Sequence, residues 1–398
     1  MKVKIKDSHF RLAMFLLAVW YVFLCVLHYL SLQPLSNDEQ CVFNNIQAFS
    51  PYQIFHERLL NVQVFPRLYL FFIQSFSKNF DFHWLSLRFL PFVFMLGAFA
   101  LWLCIAKYEF KNKLDYLVFM LCWPASVILV YYSAGLKQYS FDVFAAALFI
   151  LFLYNQQTLA LHKFRLYIFL LLVFPFLGLM SYPALLMMFL PLINLFISVL
   201  KNEKESRKYF GIYAAGMTIT LIVSYIFDMR LREVAVVTTG FGDYFVSTAN
   251  PAEFFKTAGE GIVNLFSRWL AESPRLLKRI SCFFFIFGLI YMFYGFFKNI
   301  KSEKGLRSLN TIALVIFIGL FLLGLAKKYP FTVPRTSLFF CPVVMALTIK
   351  GIGLLRSWNQ YVYYGVYAAF IVFLLYVSSG IANVLFHGDL SAASTIWP

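Results

Sequence analysis

Apolar segments long enough to cross a bilayer recur from one end of this chain to the other. They fall at about 11–31, 84–106, 114–133, 138–154, 166–181, 183–200, 209–227, 280–297, 309–326, 336–350 and 360–380. A helix needs about 20 apolar residues to cross the hydrocarbon core, so the pattern predicts about eleven transmembrane helices. Of the 398 residues, 61% are apolar and 13% are charged, where a soluble domain carries about 25% charge. That excludes a soluble enzyme and a disordered chain. The roughly ten-residue alternation of a β-barrel is absent. The expected fold class is therefore an all-α polytopic membrane protein. Residues 166–200 stay open between one kinked span and two, because Ser181, Tyr182 and Pro183 supply the only break.

The net charge is +16. With the N-terminus in the cytoplasm, every short inner segment is basic: Lys2 to Arg11, Lys107 to Lys113, Lys163 and Arg165, Lys201 to Lys208, Lys298 to Arg307, and Lys350 with Arg356. Cationic inner loops set topology. Most of the positive balance is thereby explained, and no nucleic-acid partner is expected. The N-terminal run has no small-residue cleavage site and reads as a retained span. The six cysteines show no metal spacing and sit mostly in apolar runs, as packing residues do.

Two outer segments, about 32–83 and about 228–279, are too long to be turns, and one-sided long loops point to function on that side. The first opens with Ser36-Asn37-Asp38-Glu39. Ser36 and Glu39 have capping-box spacing, and Val42, Phe43, Ile46 and Phe49 form an apolar stripe behind it. Glu39 reads as a cap, while Asp38 either favours the helix N-terminus or does chemistry. The Phe65-Pro66-Arg67-Leu68-Tyr69 stretch begins an apolar segment too short to span, so an interfacial helix is expected there. Arg88 lies about a turn inside the next span and either snorkels or holds an anion.

In the hairpin Leu136-Lys137-Gln138-Tyr139-Ser140-Phe141-Asp142, Lys137 lies at the outer boundary and Asp142 inside a span. A buried aspartate is a functional candidate by default, and pairing with Lys137 or a tyrosine hydroxyl is the alternative. In the second loop, Thr238-Thr239-Gly240-Phe241-Gly242-Asp243-Tyr244 reads as a flexible turn, and residues 262–270 as an amphipathic segment suited to the membrane surface. Its cations suit lipid headgroups or an anionic substrate. The last outer turn reads Tyr329-Pro330-Phe331-Thr332-Val333-Pro334-Arg335-Thr336. Pro334 sets a helix start at which the Arg335 guanidinium suits a phosphate.

The acidic pair in Ser36–Glu39, the Phe65–Tyr69 stretch leading to Leu87-Arg88, the Leu136–Val143 hairpin and the Tyr329–Thr336 turn running into Cys341-Pro342, in this order and on one side, resemble the GT-C superfamily of polytopic glycosyltransferases, in particular its bacterial protein mannosyltransferase-like branch. Gln40-Cys41 departs from the aromatic-Glu-Ala pattern common after the acidic pair, and only Pro66 stands where many members have two prolines. The resemblance implies a membrane module with interfacial helices in the first outer loop; where larger relatives carry a soluble outer domain at the C-terminus, this chain reads as that single module over 1–398 with no separate soluble domain. It implies inverting transfer of a sugar from a polyprenyl-phosphate donor to a glycan, lipid or protein acceptor, on the outer face of the inner membrane. Asp38 is then the base and Glu39 its neighbour, Arg335, Lys137 and Arg88 bind the donor phosphate, and Asp142, Tyr139, Arg67, Tyr69 and Tyr329 belong to the substrate site. A cofactor requirement stays open: Asp38 and Glu39, with Asp142, offer oxygen ligands for a divalent cation, but there is no cluster of spaced ligands. The alternative class is a transporter or flippase of a lipid-linked glycan or other anion, for which paired repeats would be expected.

Overall fold

The computed structural model describes residues 6–31, 34–161, 163–203, 205–231, 244–270, 275–299, 307–331 and 333–387. Lys2, Lys4, Lys204, Arg232, Lys301, Lys304, Thr332 and the glycine turn 238–243 lie outside the described residues. Among those described, every regular element is helical.

The chain opens with α1 (Asp7–Leu30), followed by the short helices of the first long loop: α2 (Asn37–Ala48), α3 (Pro51–His56) and α4 (Arg67–Lys78). Then come α5 (Trp84–Glu109), α6 (Lys113–Cys122), α7 (Val127–Tyr131) and α8 (Tyr139–Leu161). After α9 (Lys163–Ile168), a wider turn over Phe169–Val173 leads to α10 (Phe174–Met180), α11 (Tyr182–Met187), α12 (Phe189–Leu200) and α13 (Ser206–Phe227). The second long loop carries α14 (Pro251–Ser267), and α15 (Arg275–Asn299), α16 (Leu309–Leu325), α17 (Cys341–Trp358) and α18 (Gln360–His387) complete the chain.

Eight helical segments are long and apolar enough to cross a membrane, so the protein is an α-helical, membrane-embedded one. Two of the other expected spans are the 17-residue apolar stretches Phe164–Met180 and Leu309–Leu325. The remaining one, 114–133, is broken between α6 and α7. Pro124 explains the break, since it has no N–H for the ladder and its ring clashes with the carbonyl four residues back. Ser126 restarts the helix by accepting from Leu129 N at 3.4 Å. The 166–200 segment resolves as two helical stretches meeting at Ser181, whose extended backbone (φ −154°, ψ 128°) ends α10 and caps α11.

α8 and the 335–358 segment lie at the centre, with 72% and 78% of their apolar windows buried, against 17% for α1 and 22% for the α13 segment. The outer helices keep apolar faces exposed, as lipid contact requires. α5 packs along α8, and α15 along α17. The second pair is close because a methyl group at Gly351 would run into the Phe287 carbonyl and one at Gly288 would meet Thr348 Oγ1 at 2.8 Å. Small residues allow such approach where no hydrophobic force drives helices together. At the end of the bundle that the basic loops mark as inner, Glu109 accepts from the Tyr154 hydroxyl at 2.5 Å and pairs with Lys350, tying α5, α8 and α17 together.

The first long loop is a packed structure. Short helices leave their last carbonyls without partners. Here buried side chains supply them: Arg67 Nη1 donates to the carbonyls of Ile54 (2.7 Å) and Glu57 (2.9 Å), and Gln74 donates to those of Ile46 (2.8 Å) and Phe49 (2.5 Å). α14 departs from the expectation of a surface helix. Leu265, Phe266, Trp269 and Leu270 are buried, and α14 packs on α15, α17 and the turn Pro334–Phe340. Its apolar stripe finds protein where lipid was expected, because the loop folds back over the bundle.

Candidate functional site

The site begins with a helix cap. Ser36 Oγ accepts from Glu39 N at 3.4 Å, and the Glu39 carboxylate accepts from Ser36 N at 3.0 Å. This reciprocal box starts α2 at Asn37 and leaves Asp38 in its first turn. Glu39 also accepts from Leu136 N at 2.7 Å, fastening the first loop to the hairpin between α7 and α8. The adjacent carboxylates thus divide: Glu39 holds backbone, and Asp38 meets cations.

Asp38 Oδ2 lies 2.6 Å from Lys137 Nζ and 2.9 Å from Arg335 Nη1. Arg335 arrives from 297 positions away. It stands in the tight turn Pro334–Phe340, with Pro334 at the first position. That turn is braced by Thr336 Oγ1 donating to Val333 O (2.8 Å) and by the Tyr329 hydroxyl donating to Thr336 O (2.6 Å). Burial pushes the Asp38 carboxyl up, but Lys137 and Arg335 outweigh it and hold it below the usual carboxylate range. Burial holds the Lys137 ammonium below the ordinary lysine value, with Asp38 opposing that fall.

This trio lines a cavity of about 580 Å³, within the roughly 300–1,000 Å³ of small-molecule sites. Tyr139 also faces it. The lining also takes Glu260, Asn264 and Arg268 from α14 and its end, with Tyr244, Tyr131 and Tyr132. Four separate stretches of chain, all expected on the outer side, therefore share one chamber.

The other expected site residues lie elsewhere. Arg88 does not line this cavity; it borders a separate space of about 20 Å³ with His28 and Glu39. Asp142 is buried and accepts from Ser181 Oγ at 2.6 Å, so its hydrogen-bond partner is neither Lys137 nor a tyrosine. Arg67 caps α3 and lies 3.7 Å from Asp228, which accepts from the Tyr182 hydroxyl at 2.5 Å. Tyr69 is buried among Phe65, Phe94 and Phe141. Tyr329 braces the Arg335 turn. None of these side chains lines the chamber.

Glu260 and Asn264 escaped the sequence reading, and Arg268 entered it only as one cation of a basic loop. Their spacing of four residues was the available signal, since it places all three on one helix face. Among the described residues, no group of three or more His, Cys, Asp or Glu is placed to hold a metal ion. Asp38 is engaged by cations, Glu39 by backbone and Asp142 by Ser181, so the three carboxylates do not form an oxygen cage. The arrangement suits an anion near Lys137 and Arg335 and a proton acceptor at Asp38. No family model, curated protein or solved structure matches the chain.

Proposed function

We propose that this protein is a glycosyltransferase of the GT-C type, moving one sugar from a polyprenyl-phosphate carrier to an acceptor on the outer face of a bacterial inner membrane. On this reading the bundle crosses about eleven times, counting the two 17-residue stretches and the broken α6–α7 segment. One observation carries the proposal: a carboxylate held between a lysine and an arginine in the wall of a sugar-sized chamber.

A base that neutralises two cations is a weak base, and here no gap one sugar wide separates them. The donor resolves this. Its phosphate brings negative charge to Lys137 and Arg335, which turn from Asp38 to the phosphate. Asp38 then regains a lone pair beside the anomeric carbon. The acceptor hydroxyl passes its proton to Asp38 as its oxygen attacks that carbon from the face opposite the phosphate. The bond from carbon to phosphate oxygen breaks, and the two cations stabilise the departing charge. Phosphate needs no proton to leave.

The test is Asp38→Asn in proteoliposomes supplied with a radiolabelled polyprenyl-phosphate sugar, the sugar being chosen from the surface glycan lost when the protein is deleted. Transfer should fall about 10²- to 10⁴-fold, the usual contribution of a positioned base. Donor affinity should hold or rise, because Lys137 and Arg335 lose their internal counter-charge. Unchanged transfer would remove Asp38 as the base.

A further inference from the structure

The chamber has two unlike walls. Lys137 and Arg335, beside Asp38, form one suited to phosphate. The other is the α14 face that carries Glu260 and Asn264 on successive turns, and Tyr131, Tyr132, Tyr139 and Tyr244 also line the chamber. Ile128 and Val333 are the only aliphatic residues lining the chamber among those described. The uncharged remainder of the lining is chiefly tyrosine, asparagine and serine.

Resting on the transferase reading, we propose that the α14 wall is the acceptor subsite and that the acceptor group it binds is a carbohydrate. A carboxylate and a carboxamide four residues apart present acceptors and donors along one helix face. That array suits adjacent hydroxyls of a sugar ring. The rings of Tyr131, Tyr132 and Tyr244 combine an apolar face with a polar edge, which suits the C–H and O–H faces of the same ring. The negative charge of Glu260 repels phosphate, which directs the donor to the Lys137–Arg335 wall and leaves α14 to the incoming hydroxyl compound. Arg268, two turns beyond Glu260, adds a cation for an acidic substituent on that glycan.

The experiment offers the wild-type protein the radiolabelled donor with three acceptor fractions from the producing cells: delipidated polysaccharide, total lipid and total protein. Label should enter material that resists proteinase and keeps its carbohydrate after lipid extraction. Glu260→Gln and Asn264→Ala should each raise the acceptor KM about tenfold or more, the scale of a lost hydrogen bond to a charged or buried polar group. The donor KM should move less than twofold. Glu253→Gln, a charge-matched change on the same helix outside the chamber, should shift neither. Glu260 is exposed, so its substitution leaves folding intact. Label in proteinase-sensitive product or in product that partitions into the lipid extract, or an acceptor KM indifferent to both α14 variants, overturns the subsite while the transferase stands. Absence of transfer to every fraction overturns both.

Discussion

On the proposed reading, Asp38 is held ionised by its neighbours before donor arrives and becomes basic once the donor phosphate takes them. The ion pair with Lys137 exists above the lowered Asp38 pKa and is lost as pH falls through it; it is lost on the alkaline side as pH rises through the lowered Lys137 value. kcat/KM reports the free protein and kcat the donor-bound one. The acid limb of kcat/KM should therefore lie below the ordinary carboxylate range, and the acid limb of kcat should lie higher, because bound phosphate has taken the cations. Coincident acid limbs in the two profiles would refute the exchange of partners. Local spacing made Asp38, Lys137 and Arg335 legible, each standing beside a helix start or span boundary. The partner of Asp142 was not legible, since Ser181 lies 39 positions away. Glu260 was missed because an exposed glutamate on an amphipathic helix looks the same whether it faces solvent or a chamber.

Helices follow the same division. Length and hydropathy located the long spans, since bilayer thickness imposes both. They could not separate an apolar face that meets lipid from one that meets protein, so the destination of the α14 stripe was misjudged. Likewise the Pro124 break turned an expected span into α6 and α7. The α15–α17 crossing yields a prediction of its own. Gly351→Ala puts a methyl group into the Phe287 carbonyl, and backbone cannot yield as a side-chain tip can. The expected cost is about 1–3 kcal/mol, the range for overpacking, read as a lower melting temperature of the detergent-solubilised protein. Gly353→Ala, two residues on, meets nothing within 4 Å and should be neutral or slightly stabilising. Equal melting temperatures for the two variants would contradict the close crossing.

Across the whole molecule, the loops expected outside and the basic segments expected inside make orientation testable. In a background freed of the six native cysteines, none of which is in a disulfide, single cysteines at the exposed positions Glu57 and Ser357 mark the two ends. A membrane-impermeant maleimide should label Glu57→Cys in intact spheroplasts and Ser357→Cys only after permeabilisation. The reverse pattern would invert the topology and move the chamber to the cytoplasm.

The bridge from Asp38 to Arg335 also bears on how the protein is made. A ribosome delivers Asp38 to the membrane 297 residues before Arg335 exists. Through most of synthesis the carboxylate waits without its second cation, and the chamber stays open until α14 and the Arg335 turn arrive. On the proposed reading, interrupted chains that stop short of Arg335 would be chemically silent: they would carry the base but lack the second cation, and so would not squander lipid-linked donor.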